Sequence, residues 1–239
     1  MPWLLLAAAT IALTVLGYYS RIPWLLPLLQ VVPAYPILIR DLSKGRISLA
    51  VLRMLAWALV IALTVGILSV HAPETGAASV LHGQAYRDEM VRWVRTGAGE
   101  ESMPSRFLPQ HLLHTAAFAA LSLATGSLLS LVLGAVLMNY MSFYVGSLLA
   151  LARDSWIILL CGWPPWAILR VVAFVILGVV LAGPVLRRVA GIPFRWSDRR
   201  GWILAAAAGL VLDASLKSIL APIWSGILRS ALFPPSPAL

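Results

Sequence analysis

Long apolar runs separated by short polar stretches dominate the chain. A helix needs about 20 apolar residues to cross roughly 30 Å of hydrocarbon, and the runs are close to that length. They cover about 3–19, 22–39, 48–70, 111–137, 140–162, 166–186 and 202–222. The pattern therefore predicts an all-α fold, a polytopic integral membrane helix bundle of about seven transmembrane helices, with residues 1–239 forming a single transmembrane domain.

The second run, 22–39, is the least regular because it contains four prolines, Pro23, Pro27, Pro33 and Pro36. Proline removes a backbone hydrogen bond from a helix and kinks or breaks it. Such backbone is tolerated at membrane depth only where protein or water surrounds it. This run is therefore predicted to be either a kinked crossing helix or a re-entrant element.

Basic residues between the runs predict an orientation. They cluster in two loops that lie on the same side of the membrane in a seven-span chain. The first loop contains Arg40, Lys44 and Arg46, and the second contains Arg187, Arg188, Arg195, Arg199 and Arg200. Lysine and arginine accumulate in cytoplasmic loops. We therefore expect a multi-pass protein of the inner (plasma) membrane with a cytoplasmic N-terminus.

The polar stretch 71–110 is then extracytoplasmic, and it contains five of the nine acidic residues. Within it, Tyr86, Met90, Trp93 and Val94 recur at helical spacing, with charged residues between them. That spacing is typical of an amphipathic helix. We expect the helix to lie along the outer membrane interface.

Composition narrows the functional classes. Hydrophobic residues make up 61% of the chain, charged residues 11%, and the mean hydropathy is +0.90, values that exclude a soluble globular enzyme. The net charge of +9 is explained by the cytoplasmic loops, so membrane lipids are the expected partners and nucleic acid is not. The oligomeric state stays open.

Ionisable residues inside the predicted spans are candidate functional residues because they cost a few kcal/mol to insert. A buried charge network is predicted from Arg153, Asp154, Asp213 and Lys217, and Arg170 lies nearby in the sixth run. Asp213 and Lys217 are four residues apart and can pair on one helix face, and Arg170 is the alternative partner expected to neutralise Asp213. The network is either a set of ion pairs that locks helices together or a polar pocket that opens outward.

The four histidines, His71, His82, His111 and His114, all occur between positions 71 and 114. His111 and His114 are three residues apart, so both can face one point, with Glu100 and Glu101 just ahead of them. Two imidazoles and a carboxylate can hold a divalent metal such as zinc. The alternative is that these histidines only cap a helix at the membrane interface.

Cys161 is the single cysteine, which excludes an intrachain disulfide. A thiol at the outer end of the fifth run can be a nucleophile, with His111 or His114 as its base and Arg170 as the group that holds a carboxylate or oxyanion. The alternative is a small apolar side chain in a helix.

Three functional classes remain open. The favoured hypothesis is a membrane-embedded hydrolase or transferase that acts on a lipid or peptide substrate at the outer leaflet. Its predicted catalytic residues are Glu100, Glu101, His111, His114 and Arg170. The alternatives are an ion- or proton-coupled transporter or permease that uses the Asp154–Asp213 region, and a non-catalytic subunit of a larger membrane complex.

Overall fold

The computed structural model describes residues 2–233, and every regular element within that range is helical. Met1 and residues 234–239 lie outside the described part. Residues 2–233 form eleven α-helices, nine of them at least eight residues long: α1 Pro2–Tyr19, α2 Leu25–Ser43, α3 Ile47–His71, α4 Pro73–Ser79, α5 Gly83–Thr96, α6 Pro104–Thr125, α7 Leu128–Leu151, α8 Ser155–Cys161, α9 Pro165–Leu181, α10 Gly183–Ala190 and α11 Arg200–Leu232.

Five segments of the described chain are long and apolar enough to cross a membrane. They are Leu25–Ser43, Ile47–His71, Leu128–Leu151, Ser155–Ala190 and Ser197–Leu232, and the apolar stretch Trp3–Tyr19 is shorter. The predicted all-helical fold is therefore confirmed, with five candidate membrane-spanning segments. The predicted number of seven spans is not, because α6 is absent from this set and α1 is too short for it.

The bundle has apolar residues outside and many polar residues inside. Large exposed hydrophobic side chains follow the outer faces of α3 and α11, among them Leu52, Leu59, Leu63, Ile67, Leu204, Val211, Ile219 and Ile223. Fully or nearly fully buried polar side chains include Thr10, Thr14, Gln30, Asp41, Arg53 and Asn139. A monomeric soluble protein rarely exposes apolar surface so extensively, and a lipid environment accounts for the arrangement.

The second predicted run forms one continuous helix, α2, with Pro33 and Pro36 inside it. A reciprocal amide pair attaches it to α7: Gln30 Nε2 donates to Asn139 Oδ1 at 2.9 Å, and Asn139 Nδ2 donates to Gln30 Oε1 at 2.8 Å. A buried ion pair between Asp41 and Arg53 at 2.6 Å attaches it to α3. These contacts hold the proline-containing helix in the bundle, and the re-entrant alternative is not observed.

The break between the predicted fourth and fifth spans lies about 12 residues earlier than expected. Gly126 and Ser127 have φ values of 59° and 69°, so α6 ends at Thr125 and α7 runs unbroken through the predicted turn near Asn139. Ser127 Oγ donates to the Gly178 carbonyl at 2.5 Å and fixes the turn against α9. The predicted spans 111–137 and 140–162 are therefore wrong in their boundaries.

The predicted fifth span also divides at its end, because residues 152–154 separate α7 from α8. Asp154 caps α8, since its Oδ1 accepts the Trp156 backbone N–H at 3.2 Å. Arg153 and Asp154 are exposed. Their assignment to a buried charge network is therefore wrong: the polar pair lies in a connection between helices, where water can solvate it.

The segment 71–110 folds against the bundle instead of forming a separate layer. The apolar face of α5, formed by Met90, Trp93 and Val94, is buried in a cluster with residues of α7 and α11. Trp93 Nε1 donates to Ser102 Oγ at 2.7 Å, and Arg229 Nε donates to the Val94 carbonyl at 2.9 Å. These contacts fix the 3-10 turn Glu100–Ser102 beside α11, and this turn carries Glu101 to the functional site.

Candidate functional site

A cavity of about 350 Å³ lies within the bundle and is lined mainly by α3, α5, α6, α7 and α9. Its polar lining comes from residues such as Tyr86, Glu101, His111, His114, Arg170 and Lys217. Its apolar lining includes Met54, Trp57, Leu131, Met138, Val175 and Val179. The same cavity therefore contacts titratable side chains and hydrocarbon-like surface.

The helices place these two kinds of lining at opposite ends. Along α9 the lining residues Arg170 and Val179 are about 13 Å apart at the usual rise of 1.5 Å per residue. Along α6 the lining runs from Gln110 to Phe118, whose ring stacks on Phe174 with centroids 4.8 Å apart. The cavity is thus polar beside α5 and the Glu100–Ser102 turn, and apolar toward the middle of the bundle.

Two ion pairs form the polar end. Arg170 on α9 binds Asp213 on α11 through both carboxylate oxygens, with Nε–Oδ2 2.8 Å and Nη2–Oδ1 2.9 Å. Lys217, one turn later on α11, binds Glu101 with Nζ–Oε2 2.8 Å. Of the two partners predicted for Asp213, the structure therefore shows Arg170 and not Lys217. Both ion pairs join different elements, because neighbouring elements bring partners with better geometry.

Arg170 keeps hydrogen-bonding capacity toward the cavity. A guanidinium has five N–H donors in a fixed fork, and Asp213 accepts two of them. The side chain of Asp213 is 2% exposed, whereas that of Arg170 is 25% exposed and lines the cavity. Asp213 therefore orients the guanidinium, and the remaining donors are available to an acceptor oxygen of a bound molecule.

His111 and His114 lie on one face of α6, and both line the cavity. His111 Nε2 is 3.8 Å from Asp213 Oδ2, and its ring packs edge-on against Phe107 with centroids 5.3 Å apart. Its Nδ1 is buried and has no hydrogen-bond partner within residues 2–233. Burial and the charge of Arg170 lower the pKa of both imidazoles, that of His111 to about 2. Each imidazole is therefore neutral and has an acceptor nitrogen for a cavity ligand.

Four of the five predicted catalytic residues line the cavity together: Glu101, His111, His114 and Arg170. Glu100 is exposed and does not line it, because the 3-10 turn directs neighbouring side chains to different sides. The catalytic roles predicted for these five residues remain predictions.

The sequence analysis missed lining residues on α5 and just before it, namely His82, Tyr86 and Glu89. Their spacing of four and three residues places them on one helix face. This spacing was visible in the sequence. The apolar face of the same helix predicted contact with the membrane interface instead of a cavity wall.

Glu89 lies outside the membrane-spanning segments and is half-buried at the cavity wall. Burial raises the pKa of its carboxyl above the ordinary value of 4.5, and the neighbouring carboxylates Glu100 and Glu101 raise it further, while Arg92 opposes them. Burial likewise raises the pKa of Tyr86 well above its ordinary value. The cavity wall therefore stabilises the protonated form of Glu89 relative to the unfolded chain.

The geometry does not support the predicted metal site at His111 and His114. Among the residues described, no group of three or more His, Cys, Asp or Glu side chains is placed to hold a metal ion. The positive groups of Arg170 and Lys217 line the same cavity and would repel a divalent cation. The third ligand that zinc requires is therefore not supplied by the described residues.

Cys161 is the last residue of α8, is half-buried and does not line the cavity. Its carbonyl accepts the indole N–H of Trp224 at 2.7 Å, and its side chain packs within an apolar cluster. The structure therefore does not bring the predicted thiol nucleophile together with its predicted histidine base. The packing role is the one that the contacts support.

The site combines an oriented guanidinium, two imidazoles, a buried ammonium–carboxylate pair and an apolar wall. Such a set can bind an acceptor oxygen, transfer protons and accommodate hydrocarbon. No protein-family model, curated protein or solved structure matches the chain.

Proposed function

We propose that this chain is an integral membrane enzyme, a hydrolase or transferase, that acts on the polar head group of a lipid held in the cavity. The observation that carries the proposal is the continuity of the cavity. It joins the ion-paired end at Arg170 to an apolar wall that extends about 13 Å to Val179. Ligand pockets that are mostly apolar, with a few convergent polar groups, are typical of small-molecule sites.

The proposed chemistry is transfer of an acyl or phosphoryl group of the lipid to an acceptor hydroxyl or to water. The free N–H groups of Arg170 donate to the carbonyl or phosphoryl oxygen, where negative charge develops in the transition state. One of the two imidazoles, His111 or His114, takes the proton of the attacking hydroxyl. The attacking oxygen bonds to carbon or phosphorus, the bond to the leaving oxygen breaks, and the imidazolium returns its proton to that oxygen.

Occupancy of the cavity can be tested separately from chemistry. The probe is a phosphatidylglycerol that carries a photoreactive diazirine in its acyl chain, incorporated in vesicles with the purified protein. We expect adducts on inward-facing residues such as Leu131 and Val175. Adducts confined to outward-facing residues such as Leu59 and Leu63 would contradict the proposal.

A cavity-filling variant provides the matched control. Gly134 lines the cavity, and a Cβ there would meet Phe118 at an ordinary 3.7 Å, so Gly134→Leu fills space without a backbone clash. At Gly226 a Cβ meets nothing within 4 Å. We expect Gly134→Leu to remove the inward adducts and Gly226→Leu to keep them.

Turnover is measured on the same vesicles, made of phosphatidylglycerol and phosphatidylethanolamine, by mass spectrometry of the lipids. The proposal expects new lipid products that fall by about 100-fold or more in Arg170→Gln, since loss of one oxyanion donor costs about that much. Glu100→Gln is the control, because Glu100 is exposed and lies outside the cavity. If the unmodified protein converts neither lipid, the proposal that it is an enzyme acting on lipids is refuted.

Transport is the second candidate, and the depth of the cavity favours it. The lining extends from Tyr86 on α5 to Gly178 on α9, where the Ser127 hydroxyl closes the turn between α6 and α7. The predicted route through Asp154 and Asp213 is not formed, because Asp154 caps α8 outside the cavity. Inward adducts without any lipid product, together with lipid movement between leaflets, would favour this candidate.

A further inference from the structure

A second concave surface lies on the opposite side of α5 from the cavity. This surface, the α5 groove, has a volume of about 580 Å³ and lies between α5 and the C-terminal end of α7. Its lining includes Arg87, Arg92, Arg95, Val91 and Leu151. The lining residues of the groove and of the cavity do not overlap, so the two are separate sites.

The α5 groove carries a positive charge that the protein does not neutralise. Asp88 is the one carboxylate among its lining residues, and Arg87 already binds it with Nη2–Oδ1 2.7 Å. Arg92 and Arg95 are exposed and form no salt bridge with any residue from 2 to 233. Two arginine charges are therefore left for a ligand.

The helix that carries the arginines is held in position before any ligand binds. The buried residues Met90, Trp93 and Val94 fix α5 against the bundle, so Arg92 and Arg95, three residues apart, share its outer face. The guanidinium of Arg95 lies 4.9 Å from the ring centroid of Phe233. Arginine forks match the oxygen geometry of a phosphate group.

The position of the groove identifies the source of the phosphate. Its lining includes Pro73, which lies just after the end of α3, and Leu151, the last residue of α7. Both α3 and α7 are long and apolar enough to cross a membrane. Leu151 is 63% exposed and offers apolar surface beside the arginines. Phospholipid head groups lie at this level of a spanning helix, with acyl chains toward its middle.

We propose that the α5 groove binds the phosphate head group of an anionic phospholipid, with the acyl chains along the exposed end of α7. Arg92 and Arg95 donate to the phosphate oxygens. Val91, Ala150 and Leu151 contact the upper part of the chains. This site is independent of the lipid proposed for the cavity, because it uses different residues on the other face of α5.

The test titrates phosphatidylglycerol or phosphatidylcholine into the detergent-solubilised full-length protein with Gly134→Leu, which fills the cavity, and measures the affinity of the first bound lipid by native mass spectrometry. The double variant Arg92→Gln/Arg95→Gln is compared with Arg106→Gln/Arg195→Gln, which removes two exposed charges outside the groove. We expect the groove variant to bind phosphatidylglycerol about tenfold more weakly or worse, since each arginine near a charged lipid surface contributes about 1 kcal/mol. The control variant should bind it as the Gly134→Leu protein does.

A second variant keeps the experiment decisive if the first one does not fold. Ala150 is exposed and lines the groove, so Ala150→Glu adds a negative charge while all arginines stay in place, and it should also weaken phosphatidylglycerol binding.

Unchanged binding in the folded groove variants, or equal losses in the control, would overturn the proposal. Displacement of phosphatidylglycerol by inorganic phosphate at equal concentration would also overturn it, because the ligand would then be the free ion. In the protein that keeps Gly134, diazirine adducts in the cavity should be unaffected by the groove variants.

Discussion

Asp213 is the residue on which the polar end of the site depends most directly. It is 2% exposed, binds both Nε and Nη2 of Arg170 and approaches His111. Removal of one partner of a buried ion pair leaves the other charge uncompensated and costs more than removal of both. Its identity as a buried charge was predictable from sequence, and its partner was narrowed to Lys217 or Arg170, but sequence alone could not choose between them.

Asp213→Ala should lower the thermal midpoint of the detergent-solubilised protein more than Arg170→Ala/Asp213→Ala does. The single change should lower the free energy of unfolding by at most about 3 kcal/mol, because Arg170 is partly exposed. The double change should recover part of this loss. The third variant, Asp213→Ala/Lys217→Ala, should show no recovery, because Lys217 binds Glu101. Recovery with Lys217→Ala instead would mean that the pairing inferred here is wrong.

Glu89 should make stability depend on pH with a definite sign. Burial and the neighbouring carboxylates Glu100 and Glu101 raise its pKa in the folded state, so the folded protein binds the Glu89 proton more tightly than the unfolded chain does. Its contribution to the free energy of unfolding is therefore present below the ordinary pKa of 4.5 and is lost as pH rises through the raised value.

The corresponding change is Glu89→Gln, which imitates the protonated form at every pH. Its thermal midpoint should exceed that of the unmodified protein near neutral pH, and the difference should disappear at pH values below 4.5. The exposed Asp88→Asn is the neighbouring control and should not reproduce this pattern. A constant difference across the pH range would contradict the raised pKa.

Sequence could place several site residues near one end of the bundle, but it could not determine which way they face. Glu101 and Glu100 are adjacent, yet only Glu101 lines the cavity, because the rotation of a 3-10 turn is decided by contacts such as that from Trp93 to Ser102. Cys161 was predicted close to the histidines by depth alone. Depth along an apolar run carries no information about which neighbouring helix a side chain contacts.

At the scale of the elements, the turn between α6 and α7 is the feature that hydropathy could not locate. Gly126 and Ser127 hardly interrupt the apolar run, although both take positive φ values. The predicted break between the runs 111–137 and 140–162 falls at Asn139, which is polar because it pairs with Gln30 inside the bundle. A buried amide pair and a loop give the same local signal in a sequence.

Gly126→Ala should destabilise the protein, because a side chain at a φ of 59° is strained and its Cβ would lie 3.2 Å from Leu186 Cδ2. The expected loss is about 1–2 kcal/mol, the usual cost of the left-handed conformation for an L-residue. Gly134→Ala, inside α7 with no such strain, should be neutral or slightly stabilising. Equal thermal midpoints for the two variants would refute the left-handed turn.

At the scale of the whole molecule, the exposed apolar helix faces and the five helices long enough to cross a membrane are compatible with a membrane protein, and this much followed from composition and run length. The number of spans did not follow, because α6 carries polar residues that face the cavity and Ser155–Ala190 combines several short helices. The length of an apolar run limits the length of the helix that it can form. Helix breaks and interior polar residues determine which part of the run is long and apolar enough to cross a membrane.

The last prediction concerns the sides of the membrane. Helix α11 has 33 residues, about 50 Å at 1.5 Å per residue, and its C-terminal part contacts the end of α5 through Arg229 and Val94. Ala98 and Ser197 therefore lie near opposite ends of α11, and both are exposed. If α11 crosses the membrane, cysteines at these positions face opposite compartments.

We expect Ala98→Cys to react with an impermeant thiol reagent from outside the cell, and Ser197→Cys to react only after the membrane is opened. The reason is that the basic loop 187–200 should stay in the cytoplasm. Both changes are made in a Cys161→Ser background, which alone should give no labelling. Reaction of both cysteines from the same side would show that α11 does not cross, whereas reaction of Ser197→Cys alone from outside would reverse the orientation.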